Sequence, residues 1–384
     1  MAFAITAFTI PSIVHVTRSK NLCSVPNGRT SHAGSIPTLG GIAIFIGFLL
    51  STVVVAGTHY IIELRYIIAG LIIIFFIGVK DDILVIDPYK KLTGQVSAAI
   101  LIAVFADIRI TNLYGLFHIQ QLPYIASVLL TVFVFIVIIN GFNLIDGIDG
   151  LASGIGIVTA STFGSWLWIN GNIPYTILSF SFVGSVIAFF SFNVFGKKNK
   201  LFLGDTGSLV IGFVIAILAC RFLQFELIAH EIAKIPSAPT VVCGVLIIPL
   251  FDSLRVFMLR ILQGRSPFKA DRQHLHHRLL QLQFTHLQAT LILISVNLFF
   301  ITLSYLLRGI GIVWLMAVIV GLASIMSYIL VKLAERRAKK LIEVELLLAE
   351  YLKKLYGRKE KTDLIKSIEK INLPQPDRSV IGRN

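Results

Sequence analysis

Two adjacent carboxylates are the first residues in this chain whose types suit catalysis. Asp81 and Asp82 stand together in the segment GVKDDILVIDPYKKLTGQ, with Lys90 and Lys91 a few turns later. Neighbouring carboxylates cannot both be ionised cheaply unless a metal ion or a lysine shares them, and one can then have a raised pKa suited to proton abstraction. We therefore predict a catalytic role for the pair. The alternative for Asp82 is a cap on the following turn.

Carboxylates and amides recur every three residues in the segment NGFNLIDGIDGLASG. A helical turn would bring Asn140, Asn143, Asp146 and Asp149 to one side. Oxygen-rich sets of this kind suit Mg²⁺, which takes one or two carboxylates and keeps several waters. We predict Asn143 and Asp146 as groups near a metal. Asp149 is interpreted as a substrate contact or, like Asn140, as a residue that only shapes the turn.

A further aspartate lies in a glycine-rich turn before an apolar run, in KKNKLFLGDTGSLVIG. Exposed N–H groups and the helix dipole make such a turn an anion site. Asp205 is here a candidate metal ligand. A plain helix cap, by Asp205 or by Ser208, is the alternative.

The segment PLFDSLRVFMLRILQGRSPFKADRQHLHHRLL is dense in hydrogen-bond donors. Arginine forks and imidazoles can clamp phosphate oxygens, so we predict nucleotide or phosphate contacts here. A zinc site is disfavoured, because no cysteine or fourth ligand stands at a typical spacing. The candidate substrate-binding residues are Asp252, Arg265, His274, His276 and His277.

These groups together fit one reaction class. A carboxylate and amide metal site, an anion-binding turn and a basic, histidine-bearing loop are what Mg²⁺-assisted phosphoryl transfer uses, since charge neutralisation and positioning supply most of that catalysis. The competing interpretation is a transporter, whose acids would line a path across the membrane and whose halves often show inverted repeats. We see no such repeat, and the acids concentrate at one end of the apolar runs.

The elements that must position these residues are membrane helices. Of the 384 residues, 56% are hydrophobic and only 14% charged, and the mean hydropathy is +0.84. That composition predicts an all-α polytopic membrane protein. Spanning helices need roughly 20 apolar residues, and we place about eleven of them, near 3–17, 38–57, 65–79, 92–107, 122–140, 152–169, 175–194, 208–222, 238–259, 289–307 and 310–331.

The basic residues predict the orientation. Cytoplasmic connections carry an excess of Lys and Arg, and one set of connections holds most of them, including Lys90, Lys91, Lys200 and Arg265. This set and the C-terminus are therefore predicted to be cytoplasmic, with the N-terminus periplasmic and the protein in the cytoplasmic (inner) membrane. The four acidic segments fall on the same cytoplasmic side.

The last part of the chain differs in composition. We divide the protein into a membrane catalytic domain at 1–332 and a charged cytoplasmic tail at 333–384. The tail segment AERRAKKLIEVELLLAEYLKKLYG has apolar residues at helical spacing and is predicted to extend the last span as an amphipathic helix beside lipid headgroups. No nucleic-acid partner is expected, because topology accounts for the net charge of +14.

The motifs GVKDD, NLIDGIDGLASG, FLGDTGSL and DRQHLHHRLL resemble, in this order, those of the bacterial polyprenyl-phosphate N-acetylhexosamine-1-phosphate transferases, a glycosyltransferase family 4 type. The resemblance covers roughly residues 24–280. It implies transfer of a sugar 1-phosphate from a UDP-N-acetylhexosamine to undecaprenyl phosphate, giving UMP and starting cell-envelope polysaccharide synthesis. It also implies Mg²⁺, with Mn²⁺ as a substitute. Membrane lipids are expected partners, and a homodimer is left open.

The resemblance also implies roles for single residues. Asp81 and Asp82 match the essential acidic pair, and Asp81 would deprotonate or orient the lipid phosphate. Asp205 matches the magnesium ligand. Lys90 or Lys91 would hold phosphate, and the sequence does not distinguish them. The histidine motif at 274–277 would lie near the nucleotide diphosphate.

The sequence departs from the family pattern in the first loop, SVPNGRTSHAGSIPTLGG, where Ser24 and Thr30 replace the usual Asp and Lys while Arg29 and His32 remain. The run HLHHRLL also differs from the three consecutive histidines and the Phe-Glu pair of the relative that acts on the muramyl-pentapeptide nucleotide. This difference favours UDP-GlcNAc as the donor, with the phospho-MurNAc-pentapeptide transferase of peptidoglycan synthesis as the alternative.

Overall fold

The structure, a computed structural model, describes residues 1–20, 23–24, 36–55, 57, 62–84, 86–227, 234–264 and 273–356. Arg265 of the predicted substrate site and residues 25–35 of the first loop, including Arg29, Thr30 and His32, lie outside the described residues.

Helices make up most of the described chain. Their bounds are α1 Ala2–Ser19, α2 Gly40–Val55, α3 Leu64–Leu84, α4 Pro88–Ile100, α5 Tyr124–Ile145, α6 Leu151–Ile169, α7 Ile173–Phe195, α8 Gly204–Glu226, α9 Ala238–Val245, α10 Ile247–Leu262, α11 Leu275–Gln281, α12 His286–Leu306 and α13 Ile312–Tyr356. A five-residue π-helical segment, Leu101–Phe105, continues α4. Two short strands, β1 Cys23–Ser24 and β2 Ile36–Pro37, pair antiparallel. The prediction of an all-α membrane protein is confirmed.

Five described helices are long and apolar enough to cross a membrane by length and composition: α5, α7, α8, α12 and the part of α13 at Ile312–Leu348. A sixth span results if the bent pair α9 and α10 is counted as one. Each of the eleven predicted spans overlaps helical residues of the structure, and the one at 238–259 falls on two helices, α9 and α10. The chain is thus a multi-pass membrane protein, and the count of eleven spans stays a prediction.

The span predicted at 238–259 is broken by a bend of 81° between α9 and α10. Pro249 lies in the first turn of α10. In an unbroken helix its ring would clash with the carbonyl of Val245, four residues earlier, and it has no N–H to donate there. The break after Val245 removes that conflict.

Helix α8 forms the centre of the fold. It packs against α2, α3, α5 and α6, and from Thr206 to Ala219 every one of its residues is buried. A helix that is apolar around its whole circumference must be enclosed by others. Glycine allows α3 to approach α8 closely: a Cβ on Gly78 of α3 would collide with the backbone of Thr206. The N-terminus of α8 is therefore held against the last turns of α3.

Candidate active site

The N-terminus of α8 is capped by a carboxylate from another helix. Asp82, in the last turn of α3, accepts hydrogen bonds from the Asp205 N–H at 2.7 Å, the Thr206 N–H at 3.0 Å and the Thr206 hydroxyl at 2.5 Å. The first N–H groups of a helix have no partner within the helix, and a negative charge there is favourable. Asp82 therefore fixes the position of Asp205.

The backbone geometry at the start of α8 requires a glycine. Gly204 has a φ of +72°, a conformation that L side chains rarely adopt, and a Cβ at this position would collide with the Thr38 carbonyl and the Asp82 carboxylate. Burial raises the pKa of Asp82 to about 6, against the lowering effect of the hydrogen bonds from Thr206 and Asp205. The glycine-rich turn thus serves close approach between α3 and α8.

A lysine ammonium lies at the centre of the acidic cluster. Lys91 pairs with Asp81 at 2.8 Å and with Asp205, and its Nζ is 3.5 Å from Oδ1 of Asn143. Burial lowers the pKa of Lys91, but the carboxylates of Asp205 and Asp81 raise it more, and the net shift is upward. Lys91 is therefore protonated at neutral pH. Its neighbour Lys90 is exposed, so the two lysines that the sequence did not distinguish are distinct in the structure.

The two members of the acidic pair have different surroundings. Both oxygens of Asp81 are engaged, Oδ1 with the Ile86 N–H at 2.9 Å and Oδ2 with Lys91. The two contacts hold the Asp81 carboxylate in one orientation. Of the two roles predicted for Asp81, proton abstraction and orientation, this geometry favours orientation. The Asp82 carboxylate caps α8, whereas the alternative drawn from the sequence is a cap on the turn that follows Asp82.

Asn143 and Asp146 come to the same place from the end of α5. The Asn143 amide donates to Asp205 Oδ1 at 2.7 Å and to the Ser208 hydroxyl at 2.9 Å. Asp146 is the residue after the last turn of α5 and is partly buried. Burial raises the pKa of Asp146 well above its usual value, and the charges of Asp205, Asp82 and Asp149 add to the rise. Among the described residues nothing donates a hydrogen bond to Asp146.

This donor set fits a magnesium ion. No group of three or more His, Cys, Asp and Glu side chains in the described ranges is arranged to hold a metal. Mg²⁺, however, needs only one or two carboxylates and completes its shell with waters and substrate oxygens. Asp205, which is 36% exposed, the unpartnered Asp146 and the Asn143 amide supply such a set. The cluster also already stabilises one cation, the ammonium of Lys91.

Asp149 points to different partners. Its carboxylate pairs with Lys200 at 2.8 Å and with His286 Nδ1 at 3.3 Å. Burial raises the pKa of Asp149, but the hydrogen bonds and charges of His286 and Lys200 outweigh it, so that the net shift is downward. The four-residue series predicted to share one side therefore divides, because the chain leaves helical geometry after Ile145. Asp149 ties the turn between α5 and α6 to the segment before α8 and to the start of α12.

The histidine motif is positioned by Asp252. This carboxylate, 2% exposed, accepts from His274 Nδ1 at 3.1 Å, from the Leu275 N–H at 3.1 Å and from Arg255 at 3.3 Å. It thereby anchors the N-terminus of α11 to α10. The predicted substrate-binding residue Asp252 lies beneath the motif and has no open face.

His276 is enclosed in the structure. It is 1% exposed, neither ring nitrogen has a hydrogen-bond partner among the described residues, and its ring lies against Gly147, where a Cβ would overlap it. Burial lowers the pKa of His276 to about 3, and the neighbouring His277 adds to the fall. His274 and His277 flank it, with ring centroids at 5.7 and 4.2 Å. The motif thus contacts the turn that follows Ile145, beside Asp146.

An amide pair lies one turn below the cluster. Gln95 of α4 and Asn140 of α5 exchange hydrogen bonds, at 2.8 Å from Asn140 Nδ2 and at 3.4 Å from Gln95 Nε2. Gln95 follows Lys91 by one helical turn and Asn140 precedes Asn143 by about one turn. The pair therefore sets the position of Lys91 relative to Asn143.

Breaking this amide pair is expected to lower the thermal stability of the protein. Replacing Asn140 by leucine leaves the buried Gln95 amide without its partner, which costs about 1–3 kcal/mol. Replacing Gln95 by leucine costs less, because Asn140 is half-buried and still donates to the Ile136 carbonyl at 2.8 Å. The double leucine variant removes both amides, so its loss of thermal stability is expected to be smaller than the sum of the single losses. The measurement is the melting temperature of the purified variants. Additive losses would show that the two amides do not act as a pair.

Several of these contacts have no local signature in the sequence. Asn193 links the Gly150 N–H, at 2.7 Å, to the Leu201 carbonyl, at 2.9 Å, and His286 reaches Asp149 from 137 residues away. Lys200 is the residue that the sequence could have indicated, because it is a basic residue just before the FLGD motif. In the sequence, Asn193 and His286 belong to no motif, and their neighbours are apolar or mixed in polarity.

The sequence matches the model of a known protein family and is similar to named enzymes. Residues 64–223 match the model of glycosyl transferase family 4. The chain is 31% identical over 279 residues to the undecaprenyl-phosphate alpha-N-acetylglucosaminyl 1-phosphate transferase of Escherichia coli K12, which covers 71% of this chain and 73% of the relative. It is 30% identical over 291 residues to the decaprenyl-phosphate N-acetylglucosaminephosphotransferase of Mycolicibacterium smegmatis, covering 70% and 71%. The matched family region includes Asp81, Asp82, Lys91, Asn143 and Asp205.

Proposed function

Because the chain belongs to glycosyl transferase family 4, we propose that it transfers GlcNAc 1-phosphate from UDP-GlcNAc to undecaprenyl phosphate and releases UMP. The observation that carries this proposal is the cluster of Asp81, Lys91, Asn143 and Asp205, a charged site at one end of an apolar helix bundle. The names of the two relatives support both the sugar and the polyprenyl acceptor. The reaction initiates cell-envelope polysaccharide synthesis at the cytoplasmic face of the inner membrane.

The chemistry is a direct displacement at phosphorus. An oxygen of the lipid phosphate bonds to the sugar-linked phosphorus of the nucleotide, and the bond from that phosphorus to the bridging oxygen breaks. The electron pair leaves with UMP, and a lipid diphosphate-sugar remains. Negative charge is concentrated on both substrates, so neutralisation and alignment are the main demands on the protein.

The residues of this chain meet these demands in different ways. Lys91 supplies a permanent positive charge, oriented by Asp81 toward Asp205 and Asn143. Asp82 fixes the first turn of α8, whose remaining N–H groups favour an anion. Asp205, Asp146 and Asn143 would hold Mg²⁺, which when bound neutralises the diphosphate; Mn²⁺ is expected to substitute. His274, His277, Lys90 and Arg265 are proposed substrate contacts.

The test is a panel of UDP-sugars incubated with the detergent-solubilised protein and undecaprenyl phosphate. UMP release and a radiolabelled lipid product are expected with UDP-GlcNAc. A lipid product formed only from the muramyl-pentapeptide nucleotide would instead establish the peptidoglycan alternative. Absence of UMP with every donor would contradict the proposal and leave a transporter as the interpretation.

Removal of divalent cations is expected to stop the reaction. The diphosphate of the nucleotide carries more negative charge than the single positive charge of Lys91 can neutralise. A metal ion held by the two carboxylates and the amide would supply the remaining positive charge. We expect UMP release to fall to background after exhaustive EDTA treatment and to return with Mg²⁺ or Mn²⁺. The melting temperature, measured in parallel, controls for unfolding. Full activity in EDTA would refute the metal requirement.

A further inference from the structure

Helix α13 continues far beyond the predicted end of its membrane span. It has 45 residues from Ile312 to Tyr356, a length of about 67 Å, whereas the hydrocarbon core of a bilayer is about 30 Å thick. The span predicted at 310–331 leaves 25 further residues, or about 37 Å of helix. Arg337, six residues beyond the predicted end of the span, joins α13 to the residues after α11 by donating to the Leu282 carbonyl at 2.9 Å and to Gln283 Oε1 at 2.5 Å.

The extension carries an apolar stripe on one face. The tail stripe consists of Leu341, Val344, Leu347, Leu348 and Tyr351, which recur at intervals of three and four residues and so lie along one side of the helix. Val344, Leu347 and Tyr351 are each about 60% exposed and Leu348 is 48% exposed. Leu341, at the start of the stripe, is half-buried. Apolar surface of this extent in water calls for a partner.

The geometry of the helix restricts what that partner can be. Because α13 runs without a break to Tyr356, the tail stripe begins ten residues, or about 15 Å of helix, beyond the predicted end of the span and continues along the same axis. Every copy of the protein has the same orientation in the membrane. Two copies therefore present their stripes in parallel and at the same height.

The spacing and the flanking charges match a second copy. Leu341, Val344, Leu348 and Tyr351 follow the a and d positions of a heptad repeat. In this register Lys340 and Glu345 occupy g and e positions five residues apart in the sequence, the spacing that pairs opposite charges across a parallel dimer. We propose that two copies associate through their tail stripes as a parallel two-helix coiled coil on the cytoplasmic side.

The tail stripe is only about two heptads long, and confinement of both copies to one membrane compensates for this short length. Two heptads form a weak coiled coil in dilute solution. Copies confined to one bilayer meet at a high effective concentration, which converts a weak contact into a stable one. The contact also bears on the site, because α13 packs against α11, the helix of the histidine motif.

The test is cysteine cross-linking in native membranes. In a background with Cys23, Cys220 and Cys243 replaced by alanine, Leu348→Cys and Val344→Cys place a thiol in the seam. Leu346→Cys is the matched control, since Leu346 is also an exposed leucine, at 66%, but lies on the opposite face. Oxidation is expected to produce covalent dimers severalfold more efficiently at Leu348 and Val344 than at Leu346, with UMP release unchanged in the unoxidised variants.

A second variant separates association from random collision. Val344→Lys combined with Leu348→Lys places charges in the seam and is expected to abolish cross-linking through a thiol at Leu341. Equal cross-linking at Leu346 and Leu348 would overturn the proposal. So would thiols at Leu348 that resist both cross-linking and maleimide labelling, because lipid or the same chain would then cover the stripe. Loss of UMP release plays no part in either outcome, so the proposed function is tested separately.

Discussion

Replacing Asp205 by alanine is expected to abolish UMP release while the protein stays folded in the membrane. The Asp205 carboxylate pairs with Lys91, accepts from Asn143 and is a proposed metal ligand that is 36% exposed. Preorganised charge contacts in an active site are each worth about 10²–10³-fold in rate. Because Asp205 takes part in two such contacts, we expect a loss at the upper end of this range or beyond it.

The measurement is single-turnover UMP release at saturating UDP-GlcNAc, with and without added Mg²⁺. Asp205→Asn keeps the size and shape of the side chain but removes its charge, and we expect its activity to be nearly as low as that of Asp205→Ala. Asp107→Ala is the matched control, an aspartate exposed at 69% that pairs with Arg109 at the other end of the bundle. Near-normal release from Asp205→Ala would remove this residue from the metal site.

Replacing Asp82 by alanine is expected to reduce both stability and activity. The variant leaves two N–H groups and a hydroxyl at the start of α8 without their acceptor. Loss of a charged helix cap costs about 2 kcal/mol. The displaced first turn of α8 carries Asp205 with it, so we expect turnover to fall about 10²-fold or more.

Asp87→Ala provides the comparison, since Asp87 caps α4 by accepting from the Tyr89 N–H at 2.8 Å and is exposed. This variant is expected to lose about 1 kcal/mol and to keep most of its activity. Thermal melting and UMP release measured on both proteins separate the loss of a cap from the loss of the site. Equal activities of Asp82→Ala and Asp87→Ala would show that Asp82 acts only as one cap among others.

The sequence indicated which segments meet. Carboxylates are costly inside the hydrocarbon core, so acids at the ends of apolar helices collect at the same end of the bundle. Asp82, Asn143 and Asp205 do lie within one cluster. The sequence did not indicate which atom pairs with which. The capping of α8 by Asp82 joins residues 123 apart, and no local pattern encodes a partner at that distance.

The choice between Lys90 and Lys91 depended on a helix boundary. With the span predicted to start at 92, both lysines stand in a loop and are equivalent. In the structure α4 begins at Pro88, capped by Asp87, so Lys91 shares a face with the buried Gln95 and Ala98. Proline at the first helical position and aspartate before it are a recognised start signal, and giving them more weight would have distinguished the two lysines.

The histidine motif shows a different limit. Its charge and polarity predicted solvent-facing contacts with substrate, yet His276 is enclosed against Gly147 and His274 is held by Asp252. Burial depends on how α11 is seated on the turn after α5, which involves residues more than 100 positions apart. Side-chain type alone does not distinguish an imidazole that binds a ligand from one that packs between helices.

The cap that α3 provides for α8 has a consequence for biogenesis. Asp82 emerges from the ribosome 123 residues before Asp205, so at about 5–20 residues per second its carboxylate waits at least about 6 s for the N–H groups that it will bind. Lys91 follows within ten residues and can pair with Asp81 as soon as α4 inserts. An assembly intermediate with four helices in the membrane therefore already holds the Asp81–Lys91 pair, and insertion of the eighth helix adds Asp205 to it.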